Sequence, residues 1–297
     1  MRTLRVAAAV AGLLAASLSF AEDGFGVLPG QPAAETFKFG KFTLVSLRDA
    51  QYVVHNDNKI FGADVNADAV AGVLEAAGQP DDRISLSVSA LLVRTGSHVV
   101  LIDTGLGPKV NGGLMASLKA AGVSPGEVTD VLITHSHGDH IGGLVDADGK
   151  LAFPKATVHM TAAEWNFMKD REDAASVAKA IDGHVETCEA GKAVVPGITP
   201  VLLAGHTPGH VGYEVVSGSH RLLDIGDLAH SSVVSLQKPE WTMGFDSDSP
   251  VAKATRRDTL AKLAKDQELV FSVHFPYPGI GRVKAGGAGY QWVPQAP

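Results

Sequence analysis

Val131-Leu132-Ile133-Thr134-His135-Ser136-His137-Gly138-Asp139-His140 is the stretch on which the reading of this chain turns. Its first four residues have the apolar pattern of a buried strand, so the histidines that follow sit on a strand-end loop. Alternation places His135 and His137 on one side, while Asp139 and His140 lie just beyond on a turn. Imidazole nitrogen and carboxylate oxygen suit zinc, manganese, iron or cobalt, and no thiolate stands nearby to select otherwise. A loop of merely hydrogen-bonded histidines is the alternative. Three histidines and an aspartate within six residues of a buried strand weigh against it.

Working outward, short apolar runs broken by Gly, Asp and Asn predict sheet at 42–47, 88–93 and 99–102, the last two joined as a hairpin through Thr95-Gly96-Ser97. Helical spacing appears at 68–77 and 114–121. A similar cycle follows, with a strand at 157–160, helices at 162–169 and 174–181, and strands at 198–203, 211–216 and 221–223. A helix at 250–265, with Pro near its start, precedes a last strand at 269–273 that ends at His274. Two such halves predict an α/β chain, a sandwich of two sheets with helices outside. No linker divides residues 37–297, which therefore read as a single domain. Residues 22–36 hold Gly, Pro and Ala without periodicity and read as a surface arm.

A chain of 297 residues with 45% hydrophobic content can bury a sizeable core. At the start, Arg2 and Arg5, the apolar run 6–18 and Ser19-Phe20-Ala21 have the form of a cleaved signal peptide over 1–21. The run is too short to span a bilayer, so a periplasmic or secreted protein without membrane attachment after cleavage is expected. Cleavage removes two arginines and no acid, which moves the formal charge from -7 to -9. That balance argues against nucleic acid as a partner and for a small neutral or apolar substrate. Cys188 is the sole cysteine, so no internal disulfide forms and stability rests on packing, helped by bound metal.

The segment His135 to His140 matches the His-x-His-x-Asp-His signature of the metallo-beta-lactamase superfamily. Gly205-His206-Thr207-Pro208-Gly209-His210 resembles that superfamily's second motif, Gly226-Asp227 its third and Val273-His274-Phe275-Pro276 its last. The resemblance runs from about Thr43 to Gly281 and implies the four-layer αββα sandwich with two mixed sheets. By position, it implies that His135, His137 and His206 hold one divalent ion and Asp139, His140 and His274 a second. Asp227 would bridge both. Zinc is the first expectation for the two ions. Only the first histidine of the second motif is a ligand in similar members, which leaves His210 as a supporting or structural residue. Asp103-Thr104-Gly105 resembles the family's early Asp-x-Gly loop, so Asp103 is expected to orient a ligand histidine.

Two cations sharing a water bring its pKa down from about 15.7 towards neutrality, giving a metal-bridging hydroxide that attacks while the cations polarise the attacked oxygen. The resemblance gives Asp139 the part of proton shuttle. The frame around Gly226-Asp227-Leu228-Ala229-His230, Phe245-Asp246-Ser247-Asp248 and His274 to Gly281 is similar to the exported methyl parathion hydrolase-like branch, with closely related lactonases, and suggests a homodimer. Homoserine lactonases place a tyrosine where His230 stands, so His230 is read as a candidate catalytic hydrogen-bond donor to substrate, or else as a loop histidine facing solvent. Trp165, Trp241, Phe245 and Phe275 are the candidate apolar pocket wall.

The expected activity is metal-dependent hydrolysis of a small apolar ester, lactone or organophosphate triester. A homoserine-lactone quorum-quenching lactonase or a beta-lactamase is the alternative, although a bridging Asp227 is foreign to most beta-lactamases. A metal-binding protein with little turnover is the alternative of another class. The chain lacks the basic C-terminal helices of a glutathione thioesterase, the glutamate and flavin domain of a flavodiiron protein, and the large insertion of an RNA-processing nuclease.

Overall fold

The computed structural model describes residues 24–287 and 289–296, so the expected signal peptide lies outside the described residues. The first half of the chain forms strands β1 (Gly26–Pro29), β2 (Ala34–Phe39) and β3 (Phe42–His55), helix α1 (Ala67–Ala76), strands β4 (Arg83–Arg94) and β5 (Val99–Ile102) and helix α2 (Leu114–Ala120). Strand β6 (Asp130–Leu132), the short helix α3 (Gly138–Ile141), strand β7 (Thr157–Thr161), helices α4 (Ala162–Asp170) and α5 (Ala175–Ile181) and strand β8 (Val185–Cys188) complete it. The second half holds strands β9 (Ile198–Leu202), β10 (Val211–Ser217) and β11 (His220–Asp224), then helices α6 (Val234–Gln237) and α7 (Ser249–Asp266). It ends with strands β12 (Leu269–Phe271), β13 (Ile280–Gly286) and β14 (Gly289–Pro294).

Each half makes its own sheet. The eight-stranded sheet runs β1-β3-β4-β5-β6-β7-β8, with β2 also paired to β3, and its strands from β5 to β8 are parallel. The six-stranded sheet runs β14-β13-β12-β11-β10-β9, in which β11 and β12 are the parallel pair. Both sheets are mixed, as expected.

Strand alternation explains the four layers. On β4, Leu91 and Val93 face a cluster shared with the other sheet, whereas Ala90 and Leu92 face helices α2 and α5. On β12, Phe271 joins that shared cluster while Val270 packs against Leu260 and Leu263 of α7. The shared layer, with Leu132, Val211, Tyr213 and Leu222, is closed to solvent, so the two sheets are held face to face by apolar burial.

Two stretches differ from expectation. The expected surface arm at 22–36 contributes β1 and the first half of β2, both paired antiparallel with β3. Its alternation is too brief to register: β1 buries only Val27, and the inward Phe37 and Phe39 of β2, separated by exposed Lys38, come after residue 36. After His274 the chain forms the β13–β14 hairpin, whose outer strand is an exposed edge and therefore lacks an inward apolar period. Among the described residues no helix is long and apolar enough to cross a membrane.

Candidate metal centre

The candidate ligands gather at one end of the sandwich because each follows the carboxyl end of a strand. Asp103 comes after β5, His135 to His140 after β6, His206 after β9, Asp227 after β11 and His274 after β12. Strand ends in α/β sheets leave a crevice of this kind. Ligand atoms of His135, His137, His206 and Asp227 lie within 4.8 Å of one another, as do those of Asp139, His140 and His274. The structure thus brings together all seven residues that the motifs marked.

The hydrogen bonds behind the rings decide which nitrogens face inward. His140 Nδ1 donates to Asp103 Oδ2 at 2.7 Å. His274 Nδ1 donates to the Ser87 carbonyl at 2.8 Å, and His206 Nδ1 donates to Asp246 Oδ1 at 3.1 Å. Thr134 gives its hydroxyl proton to Asp103 at 2.8 Å, so its oxygen accepts from His135 Nδ1 at 3.1 Å. Each of these rings therefore turns its Nε2 to the centre.

There the ring nitrogens converge. His135 Nε2 and His206 Nε2 both lie 2.9 Å from His137 Nδ1 and 3.2 Å from each other. Asp227 Oδ2 is 3.2 Å from His206 Nε2, while its Oδ1 is 3.2 Å from His140 Nε2 and 3.1 Å from His274 Nε2. Acceptors this close repel unless a proton or cation lies among them. A tetrahedral ion with bonds of about 2.0–2.1 Å would set them about 3.3 Å apart. His140 Nε2 and Asp227 Oδ1 are buried and have no hydrogen-bond partner, as expected of atoms kept for an ion. The donor set fits divalent metal, with Asp227 Oδ1 turned to His140 and His274 and Oδ2 to His135 and His206.

Charge in the centre follows the same plan. Burial would raise the Asp227 carboxyl, but the surrounding histidines, His140 first, hold it well below the usual range. Burial would lower His206, yet hydrogen bonds to Asp227 and Asp246 lift it to about 9. His135 is pushed well below its ordinary value by burial and by His140. The carboxylates thus prepare the centre for positive charge.

His210 is settled by its partners: Nδ1 donates to the Leu203 carbonyl at 2.7 Å and Nε2 accepts from Asp227 N–H at 3.1 Å. Burial holds it down to about 3, so this neutral ring supports the Asp227 backbone instead of facing the centre. Gly226, at φ 46°, is needed there, since a Cβ would stand 2.6 Å from His210 Nε2.

His230 is closed to solvent, with Nε2 3.0 Å from Asp227 Oδ2 but without the alignment of a hydrogen bond. It does not face solvent as a loop histidine would. Its ring stacks on His274 at 5.3 Å and 9°, and Phe245 lies 5.9 Å from it.

Of the four aromatics expected to wall a pocket, Phe245 alone meets a histidine of this cluster among the described residues. Phe275 is a correction. It is fully buried in the cluster beneath α7, edge-on to Trp292 at 4.9 Å, because the residue next to His274 points the opposite way. Trp165 packs against the core under the first sheet, with Lys169 over its ring at 5.2 Å. Trp241 packs near Phe61 and Met243 and lines a separate surface cavity of about 480 Å³ with Lys238 and Tyr290.

Sequence reading missed Asp246, Ser87 and Glu164. Asp246 stood inside a quoted motif without a role, and Ser87 acts through its carbonyl, which no residue pattern reveals.

Residues 84–274 match the family described as the metallo-beta-lactamase superfamily. The chain is 23% identical over 217 residues to an N-acyl homoserine lactonase of Bacillus cereus, a match covering 66% of this chain and 84% of that protein. It is 44% identical over 62 residues to human metallo-beta-lactamase domain-containing protein 1, which covers 21% of this chain and only 23% of that protein. Among solved structures, AidC, a dizinc quorum-quenching lactonase, superposes with a TM-score of 0.85 at 29% identity, covering 89% of this chain and 98% of that one. The hydrolase AbOPH superposes with a TM-score of 0.81 at 28% identity, covering 90% and 99%.

Proposed function

The chain belongs to the metallo-beta-lactamase superfamily, and from that premise we propose that it is an exported hydrolase of small apolar lactones, esters or organophosphate triesters that works with two divalent ions, zinc first among them. The observation that carries the reading is the Asp227 carboxylate. Its Oδ1 is turned to His140 and His274 and its Oδ2 to His135 and His206, the arrangement that two ions sharing one bridge require. Lactones lead among the substrates because AidC and the Bacillus cereus relative are both named as lactonases.

Bound divalent ions would supply a nucleophilic water at neutral pH and Lewis acidity at the attacked oxygen. The chain's own residues do the rest. Three histidines hold one side, His140, His274 and Asp139 the other. Asp139, 26% exposed at its side chain, is the carboxylate of the centre that an incoming molecule can reach, and it is proposed to take the proton of the nucleophile and deliver it to the leaving group. His230 Nδ1 has no partner and is proposed to donate to a substrate oxygen. Phe245 beside it would take the apolar part.

A panel of γ- and δ-lactones, aryl esters, aryl phosphotriesters and beta-lactams tests this, run on mature protein of known metal content with Asp139→Asn as control. Turnover that needs metal and falls in the control is expected on at least one class. Absence of metal-dependent hydrolysis on every class would leave a metal-binding protein with little turnover. The amino terminus of the secreted chain checks export, with cleavage after Ala21 expected.

A further inference from the structure

Glu164 is fully buried in the first turn of α4, and both its oxygens reach away from that helix. Oε1 accepts from the backbone N–H of Ser136 at 2.7 Å and from its hydroxyl at 2.6 Å. Oε2 accepts from the Thr207 hydroxyl at 2.7 Å and from Gly209 N–H at 3.0 Å. Ser136 lies between His135 and His137, and Thr207 directly follows His206. One carboxylate therefore ties together the two loops, about seventy residues apart in sequence, that supply the three-histidine set.

The local sequence Thr161-Ala162-Ala163-Glu164 has the form of a helix capping box. Only half of the box is made: the Thr161 hydroxyl accepts from Glu164 N–H at 3.2 Å, while the glutamate side chain is given over to the loops. Thr161 then donates to the Gly209 carbonyl at 2.9 Å, which adds a second tie to the same loop. Gly209 permits the approach, because a Cβ there would run into the Glu164 backbone. Four donors on one buried carboxylate make a rigid, fully satisfied junction, whereas removal of its charge would strand them away from water.

We propose that Glu164 is a positioning residue that fixes the spacing of His135 and His137 against His206, and so sets the affinity and geometry of the three-histidine site. This rests on the reading of the centre as a metal site. Glu164→Gln keeps the size of the side chain but turns an amide towards one pair of donors. Thr207→Val is the milder variant, removing one bond while keeping shape.

The test is cobalt(II) titration of metal-free protein, read by stoichiometry and by the visible absorption of the bound ion, beside thermal unfolding of the metal-free forms. About tenfold weaker binding of one of the two ions and an altered cobalt spectrum are expected for Glu164→Gln. A smaller change in the same direction is expected for Thr207→Val. Unchanged cobalt affinity and spectrum in both variants, even with lowered unfolding temperatures, would make Glu164 a structural tie only and overturn the proposal. Wild-type protein that takes up no cobalt would overturn the metal reading itself, a separate result.

Discussion

Arg256 places Nη2 2.7 Å from Asp246 Oδ2, with both side chains closed to solvent, while the other oxygen of that carboxylate receives His206. The guanidinium also donates to the carbonyls of Leu228, Pro239 and Trp241. A proposed ligand histidine, its acceptor and a helix of the outer layer are thus one connected unit. Replacing Arg256 by Met removes the partner of a buried carboxylate and is expected to destabilise the fold by about 3–5 kcal/mol. Arg256→Lys keeps the charge but loses the fork, and should recover only part of this. Urea unfolding measures both, and a loss below about 1 kcal/mol for the Met variant would contradict the account.

Asp103→Ala takes the acceptor from His140 Nδ1 and frees the ring to turn. A loss of about 10–100-fold in metal affinity is expected, read by competition with a chromophoric chelator. The unfolding midpoint of the metal-loaded form should fall with it.

Asp227→Ala removes at once both oxygens proposed to bridge. The side with His140, His274 and Asp139 holds fewer nitrogens, so it should empty first and metal content should drop from two ions to one per chain. Metal analysis after gel filtration checks this, and retention of both ions with full activity would show that Asp227 is not the bridge.

Phe245 and Phe275 separate pocket from core. Phe275→Ala leaves a cavity under α7 and should cost about 3–5 kcal/mol with little change in substrate preference. Phe245→Ala should leave stability nearly intact and raise KM for the more apolar substrates. Kinetics and unfolding on the same two proteins settle the assignment.

Asp130 gives a pH signature away from the centre. Burial would raise its pKa, but hydrogen bonds from His159, Thr129 and His98 lower it to about 2 from 3.8. A carboxyl depressed in the folded state stabilises above its unfolded value and loses that contribution as pH falls through the folded one. The stability gap between wild type and Asp130→Asn should therefore be full above about pH 4 and close towards pH 2. Denaturation curves across that window test it.

What the sequence disclosed follows from how local each signal is. His135 to His140 are contiguous and follow a buried strand, so both the chemistry and its place at a strand end could be read directly. Asp227 and His274 needed the motifs, because nothing near them marks a ligand. Glu164 and Asp246 act on loops some thirty to forty residues distant, and their side chains carry no period. Strands β1, β2 and β14 pair at sheet margins, where a few inward residues suffice and alternation fades.

The division of ligands between the two sheets has a mechanical side. His135 to His140 belong to the half that ends with β8, whereas His206, Asp227 and His274 belong to the half that begins with β9. The sheets adhere through a broad apolar layer, and ions at one end of the seam would rivet the two halves together. Chelation would leave that layer closed but unpin its rim, so the ions would serve as fasteners of the sandwich as much as reagents.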